Sequence, residues 1–162
     1  MKILKLKDVN KMKSLTEYII ESISSRDEKL FWKWIVALGG TDMISKINEK
    51  DDGEPLYEKA SELGTTREQF ETFCNIFYKL TDDILSIIEK DDDNSMISDD
   101  DCQYASWTAP FYGEKEFKKV LKSNDWYEIC DENNGENCGY SMNIDSYEEY
   151  LEDNGLNPSG FK

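Results

Sequence analysis

The chain has 162 residues, of which 38% are hydrophobic and 12% aromatic, enough for a packed core without a metal or disulfide staple and too apolar for global disorder. Nineteen basic against 35 acidic side chains leave a formal charge of −16, which argues against a nucleic-acid-binding surface as the main function. No apolar run approaches the ~18 residues of a membrane span, and the start MKILKLKDVNKMK lacks a signal peptide's unbroken apolar stretch, so a soluble, cytoplasmic protein without a membrane partner is expected.

The first predicted helix covers about residues 14–24, with Leu15, Tyr18, Ile19 and Ile23 on one face. Ser25 and Glu28 then have the S-x-x-E form of a capping box. Behind them Leu30, Phe31, Trp34, Ile35 and Leu38 recur at helical spacing until Gly39-Gly40 ends the run. Trp32 and Val36 fall on the opposite side. A helix apolar on two sides is expected at the centre of a bundle, with a partner interface as the alternative. A short helix follows from near Pro55 to Gly64, since proline's fixed φ suits a first helical position.

Thr65-Thr66 opens the longest helix, with Glu68 and Gln69 each placed to complete a capping box. Its predicted core stripe runs from Phe70, Phe73, Cys74 and Phe77 through Thr81, Ile84 and Leu85 to Ile88. Asp91 to Asp101 reads as a loop by composition. Tyr104 to Tyr112 reads as core where the chain crosses helices, with a binding platform as the alternative. Residues 114–122 are predicted helical, Trp126 to Cys130 a short strand, and DENNGENCGYSMN a loop able to hold one small hairpin. Asp145-Ser-Tyr-Glu148 opens a last short helix over Tyr147–Leu151. The expected fold is mainly α, a single domain over 1–162. Its helix-bundle core spans about 14–122, and an irregular acidic extension covers 123–162.

Charge divides unevenly along this layout. Residues 1–90 carry 14 basic and 17 acidic side chains, whereas residues 91–162 carry 5 and 18. Between Lys122 and Lys162 there is no basic residue against ten acids.

The chain has no histidine, which removes Ser-His-Asp and Cys-His catalysis and the commonest proton shuttle near neutral pH. Cys74, Cys102, Cys130 and Cys138 lack the close pairing of a structural zinc site, so four reduced thiols are expected; a Cys130–Cys138 disulfide is the alternative in an oxidising compartment. Calcium-loop registers starting at Asp91 and Asp131 both fail, the first at Met96 and Cys102, the second at Glu136 and Met142. There is no phosphate-cradling glycine motif. No cofactor or metal is expected.

Phe31-Trp-Lys-Trp-Ile35 resembles an F-W-x-L-I motif of a bacterial family of helical domains, some of them fused to WGR domains. Ser98-Asp-Asp-Asp-Cys102 followed by Gly113, Phe117, Leu121 and Asp125 is similar in spacing to that family's S-D-D segment and following helix. The resemblance covers about residues 27–125. It implies a single helical domain, supplies no activity, and places Asp99 and Asp100 where they would cap a helix.

The expected function is recognition: a non-enzymatic acidic protein that binds and neutralises a basic protein partner. In general character it resembles immunity proteins of nuclease toxins and phage-encoded DNA mimics that inhibit defence nucleases. The candidate contact residues are Asp99, Asp100 and Asp101, then Asp131, Glu132 and Glu136, then Glu148 and Glu149. Trp126 and Tyr127 are candidate anchors. A single-sign surface speeds capture of a cationic partner. The alternatives are an accessory helical domain and a phosphoesterase holding a divalent metal through the acids around 91–101 and 131–136.

Overall fold

The computed structural model describes residues 25–91 and 98–162. The helix predicted over 14–24, the lysine-rich start and the middle of the acidic loop lie outside the described residues. Helix α1 covers residues 25–38, followed by α2 (Thr41–Lys50), α3 (Glu54–Glu62) and the long α4 (Arg67–Glu89). After residue 97 come α5 (Asp99–Ser106), a 3₁₀ turn (Ala109–Tyr112), α6 (Glu114–Ser123), α7 (Glu132–Ser141) and α8 (Ile144–Asp153). Among the described residues there is no strand, and the fold is the mainly α bundle that the periodicity predicts.

Helix α4 is the organising element. Thr66 Oγ1 accepts from Gln69 N at 3.1 Å while Gln69 Oε1 accepts from Thr66 N at 3.1 Å, which completes the predicted capping box. Phe70, Phe73, Phe77, Ile84 and Ile88 are buried along one face, as is Leu80, which the predicted stripe omits. Aromatic contacts radiate from it. Trp34 of α1 lies 4.6 Å from Phe73, Tyr147 of α8 stacks on Phe70 at 4.2 Å, and Phe111 of the 3₁₀ turn meets Phe77 at 6.1 Å. Each such pair adds to the area it buries, because offset and edge-to-face rings satisfy one another's quadrupoles.

The two-sided α1 divides as the geometry requires. Trp32 is buried against Phe117 of α6, whereas Val36 is 72% exposed. Ser25 already lies within the helix, so it is not the N-cap that the S-x-x-E pattern suggests; Glu28 instead accepts from Trp32 Nε1 at 3.3 Å. Gly39 and Gly40 end α1 with φ of 109° and 58°, a left-handed turn that a side chain would strain.

The back half differs most from expectation. Asp99–Asp101 form the first turn of α5, where carboxylates meet the helix's positive end, and Ser98 caps that end by accepting from Asp101 N. Trp126–Cys130 is a turn rather than a strand, closed by Ile129 N donating to Trp126 O.

The stretch expected as a loop or hairpin is helix α7, and its two glycines are the reason it folds this way. A Cβ on Gly135 would stand 1.6 Å from the Tyr104 carbonyl oxygen, and one on Gly139 would stand 2.0 Å from the Trp107 ring. Spaced four apart, they let α7 press its backbone onto α5. Residues read locally as helix breakers therefore act as a packing surface.

Residues 123–162 are part of the same core. Cys138, Tyr147 and Leu151 have no exposed surface and Phe161 is 7% exposed.

Candidate functional site

A cleft of about 620 Å³ opens where the α2–α3 turn, α7 and α8 meet. Asn137 of α7 fixes one wall: its Nδ2 donates to Asp51 Oδ1 at 2.8 Å and to Asn48 Oδ1 at 3.3 Å. Asn48 Nδ2 reaches back to Asn134 O at 3.0 Å, so α2 and α7 are latched by side-chain amides. On the opposite side of the turn, Asp52 Oδ1 accepts from Glu54 N at 2.8 Å and so caps the start of α3.

Gly53 between them has no side chain. A Cβ there would come within 2.6 Å of the Tyr57 hydroxyl and 2.9 Å of Ser141 Oγ. Tyr57 is nine-tenths buried, and burial pushes its hydroxyl up to about 12.

Asp51, Asp52, Glu54, Glu149 and Asp153 line the cleft. Glu149 and Asp153 are four apart on α8 and therefore share a face. No lysine or arginine is among the described lining residues. Among the described residues the ion pairs are Lys59–Glu62 at 3.9 Å and Lys118–Glu114 at 2.6 Å, and neither involves these five acids. Among the described residues, these carboxylates thus line one cleft with no lysine or arginine beside them in its wall.

Three tyrosines complete the lining. The Tyr57 and Tyr150 rings are 6.1 Å apart, and Tyr140 is 58% exposed. Tyr140 rests edge-on against Trp107 at 5.3 Å, and its hydroxyl lies 3.4 Å from that of Tyr104. That hydrogen bond, then burial, then the charges of Tyr140, Glu136 and Asp100 push Tyr104 up to about 12.

The predicted contact residues separate into groups. Glu149 lines the cleft, while Glu136 and Asp100 act on Tyr104, which touches the cleft through Tyr140. Asp131 caps α7 by accepting from Asn133 N at 2.9 Å, with Glu132 half-buried beside it in the first turn. Asp99 is exposed, whereas Asp101 and Glu148 are half-buried.

Trp126 and Tyr127 are elsewhere. Their rings stack at 4.1 Å, and both donate to Asp91 Oδ2 at 2.9 Å, Trp126 through Nε1 and Tyr127 through its hydroxyl. Trp126 is 3% exposed, so it holds the end of α4 to the chain before α7 and is not available as a surface anchor. Tyr127 remains 57% exposed.

Sequence reasoning missed Asp51, Asp52, Glu54, Asp153 and the three cleft tyrosines. Its attention to charge behind residue 90 passed over the acidic run Asp51-Asp-Gly-Glu54 between two helices, the signal that was there to use.

The four cysteines are buried thiols, and burial pushes Cys74, Cys130 and Cys138 each up to about 12. Among the described residues no group of three or more cysteine, aspartate or glutamate side chains is disposed to hold a metal ion, and no helix is long and apolar enough to cross a membrane. No protein-family model matches the chain, and neither a curated protein nor a solved structure does.

Proposed function

We propose that this protein acts by binding, docking a basic protein partner on the acidic face centred on the cleft. The role is that of an immunity-like or DNA-mimicking inhibitor, with a nuclease as the partner class. The observation that carries this reading is five carboxylates lining one cleft, Asp51 and Asp52 from the α2–α3 turn, Glu54 from the start of α3 and two from α8, with no cation among the described lining residues. Carboxylates lining one face set up a negative potential there, which a partner's cations would satisfy on binding. The same field would steer a basic partner to the face and would be weakened by salt.

The test is affinity capture from source cells at low and high ionic strength. It compares the wild type with a variant carrying Asp51→Asn, Glu54→Gln, Glu149→Gln and Asp153→Asn. A basic protein should be retained by the wild type at low salt, released at high salt, and lost from the variant. Once purified, that partner should lose its nuclease activity on addition of one equivalent of wild-type protein. Equal retention by wild type and variant, or no basic protein at low salt, would overturn the reading.

A further inference from the structure

The cleft's carboxylates would attract any cation; its tyrosines select among them. We propose that the cleft receives an arginine side chain of the partner in preference to lysine, an inference that rests on the binding role proposed above. A guanidinium is flat, weakly hydrated and able to stack on an aromatic ring while its N–H fork meets a carboxylate; an ammonium is a compact, strongly hydrated point charge. The lining supplies both halves of that recognition. Tyr140 and Tyr150 contribute ring surface, with Tyr57 packed 6.1 Å from Tyr150. Tyr140 is held in place by the Trp107 edge contact and the Tyr104 hydroxyl.

The acids are held as well. Asp51 is fixed by Asn137 and Asp52 by the Glu54 backbone, each through Oδ1, while Glu149 and Asp153 stand one turn apart on α8. The volume of about 620 Å³ lies inside the roughly 300–1,000 Å³ range of sites that enclose a small ligand, and it accommodates a long side chain with the backbone bearing it. Aromatic walls with a surplus of carboxylate, and no lysine or arginine among the described lining residues, form the arrangement a guanidinium satisfies more fully than an ammonium.

The test titrates the full-length protein with hexa-arginine and, separately, hexa-lysine at one ionic strength, so that net charge is the same and only the head group differs. Hexa-arginine should bind more tightly by at least about threefold, the scale of one or two partly exposed cation–π contacts. Tyr140→Leu, at a position exposed enough to leave the fold intact, should weaken hexa-arginine about two- to fivefold and leave hexa-lysine nearly unchanged. Tyr140→Phe, which keeps the ring, should retain the preference. Equal affinities in the wild type, or a preference untouched by Tyr140→Leu, would overturn the inference. The E149Q/D153N pair separates this from the wider reading. If it weakens both peptides alike while arginine shows no advantage, docking stands and arginine selection falls; if it weakens neither, both fall.

Discussion

The side chain of Gln69 grips the backbone of Phe161 at both of its hydrogen-bonding groups. Its Oε1 accepts from Phe161 N at 2.7 Å and its Nε2 donates to Phe161 O at 2.9 Å, while the same Oε1 completes the α4 capping box with Thr66 N. One amide therefore starts the longest helix and holds the last turn of chain against it. Gly160 N adds a bond of 2.7 Å to Gly64 O, and the Phe161 ring meets Phe73 edge-on at 6.5 Å.

Gln69→Ala removes all three bonds and leaves backbone groups beside a half-buried seam without partners. The expected loss is about 2 kcal/mol, on the scale of an unmade buried hydrogen bond, and Phe161→Ala should cost about 3 kcal/mol through lost burial. Urea denaturation followed by tryptophan fluorescence measures both. A change below about 0.5 kcal/mol in each would show that the tail does not contribute to the fold.

Gly135→Ala and Gly139→Ala offer a test by sign. In an exposed helix, alanine for glycine stabilises by about 1 kcal/mol. Here the new methyl would meet the Tyr104 carbonyl or the Trp107 ring, so each substitution should destabilise by about 2 kcal/mol or more as α7 is pushed off α5. A rise in thermal midpoint from either change would refute the close α5–α7 approach.

Thr65 is completely buried and serves two aromatic partners: Trp34 Nε1 donates to its Oγ1 at 2.9 Å, and the Tyr147 hydroxyl donates to its carbonyl at 2.7 Å. Thr65→Val preserves the shape and removes the acceptor, leaving the indole N–H buried without a partner at a cost of about 1–3 kcal/mol. In a Trp34→Phe background the same change should cost much less. A double-mutant cycle reads the difference, and strict additivity would show that the bond carries no energy.

Alkaline pH should destabilise the protein before neutral or mildly acidic pH does. Burial raises Cys74, Cys130 and Cys138 from 9.0 to about 12, and Tyr57 and Tyr78 from 10.0 to about 12. Between those limits the unfolded chain has released protons that the folded chain still holds, so stability falls as pH rises through that window and is complete below it. Each retained proton is worth up to about 1.4 kcal/mol per pH unit. Urea midpoints at pH 7.5, 9 and 10.5 should fall slightly between the first two, where the unfolded thiols are half ionised, and steeply at the third. A flat profile to pH 10.5 would contradict the burial of these groups.

Helices α3, α4 and α6 were legible because their signals are local. Pro55 starts one, Thr66 and Gln69 cap another, and Phe70, Phe73 and Phe77 repeat at the helical period. Helix α7 was not legible. Glycine propensity is a local quantity, whereas the advantage of a bare Cα at Gly135 and Gly139 arises only when Tyr104 and Trp107 arrive from α5. Of the candidate site's five acids only Glu149 was legible, for the same reason. Glu149 and Glu136 stood out from their charge-biased surroundings, but Asp51, Asp52 and Glu54 lie in the front half, where nearby lysines mask their contribution to the tally.

The amino-acid order alone determined the sign of the molecule's charge, the absence of imidazole chemistry and the apolar faces of its longest helices, since these depend on composition and on neighbours within a turn or two. Only the tertiary structure decided that the α2–α3 turn faces α8 across Tyr57 and Tyr150, that Trp126 is enclosed against Asp91, and that two glycines join helices instead of breaking one. Those outcomes depend on which distant surfaces pack together, and packing brings into contact side chains that no local pattern links.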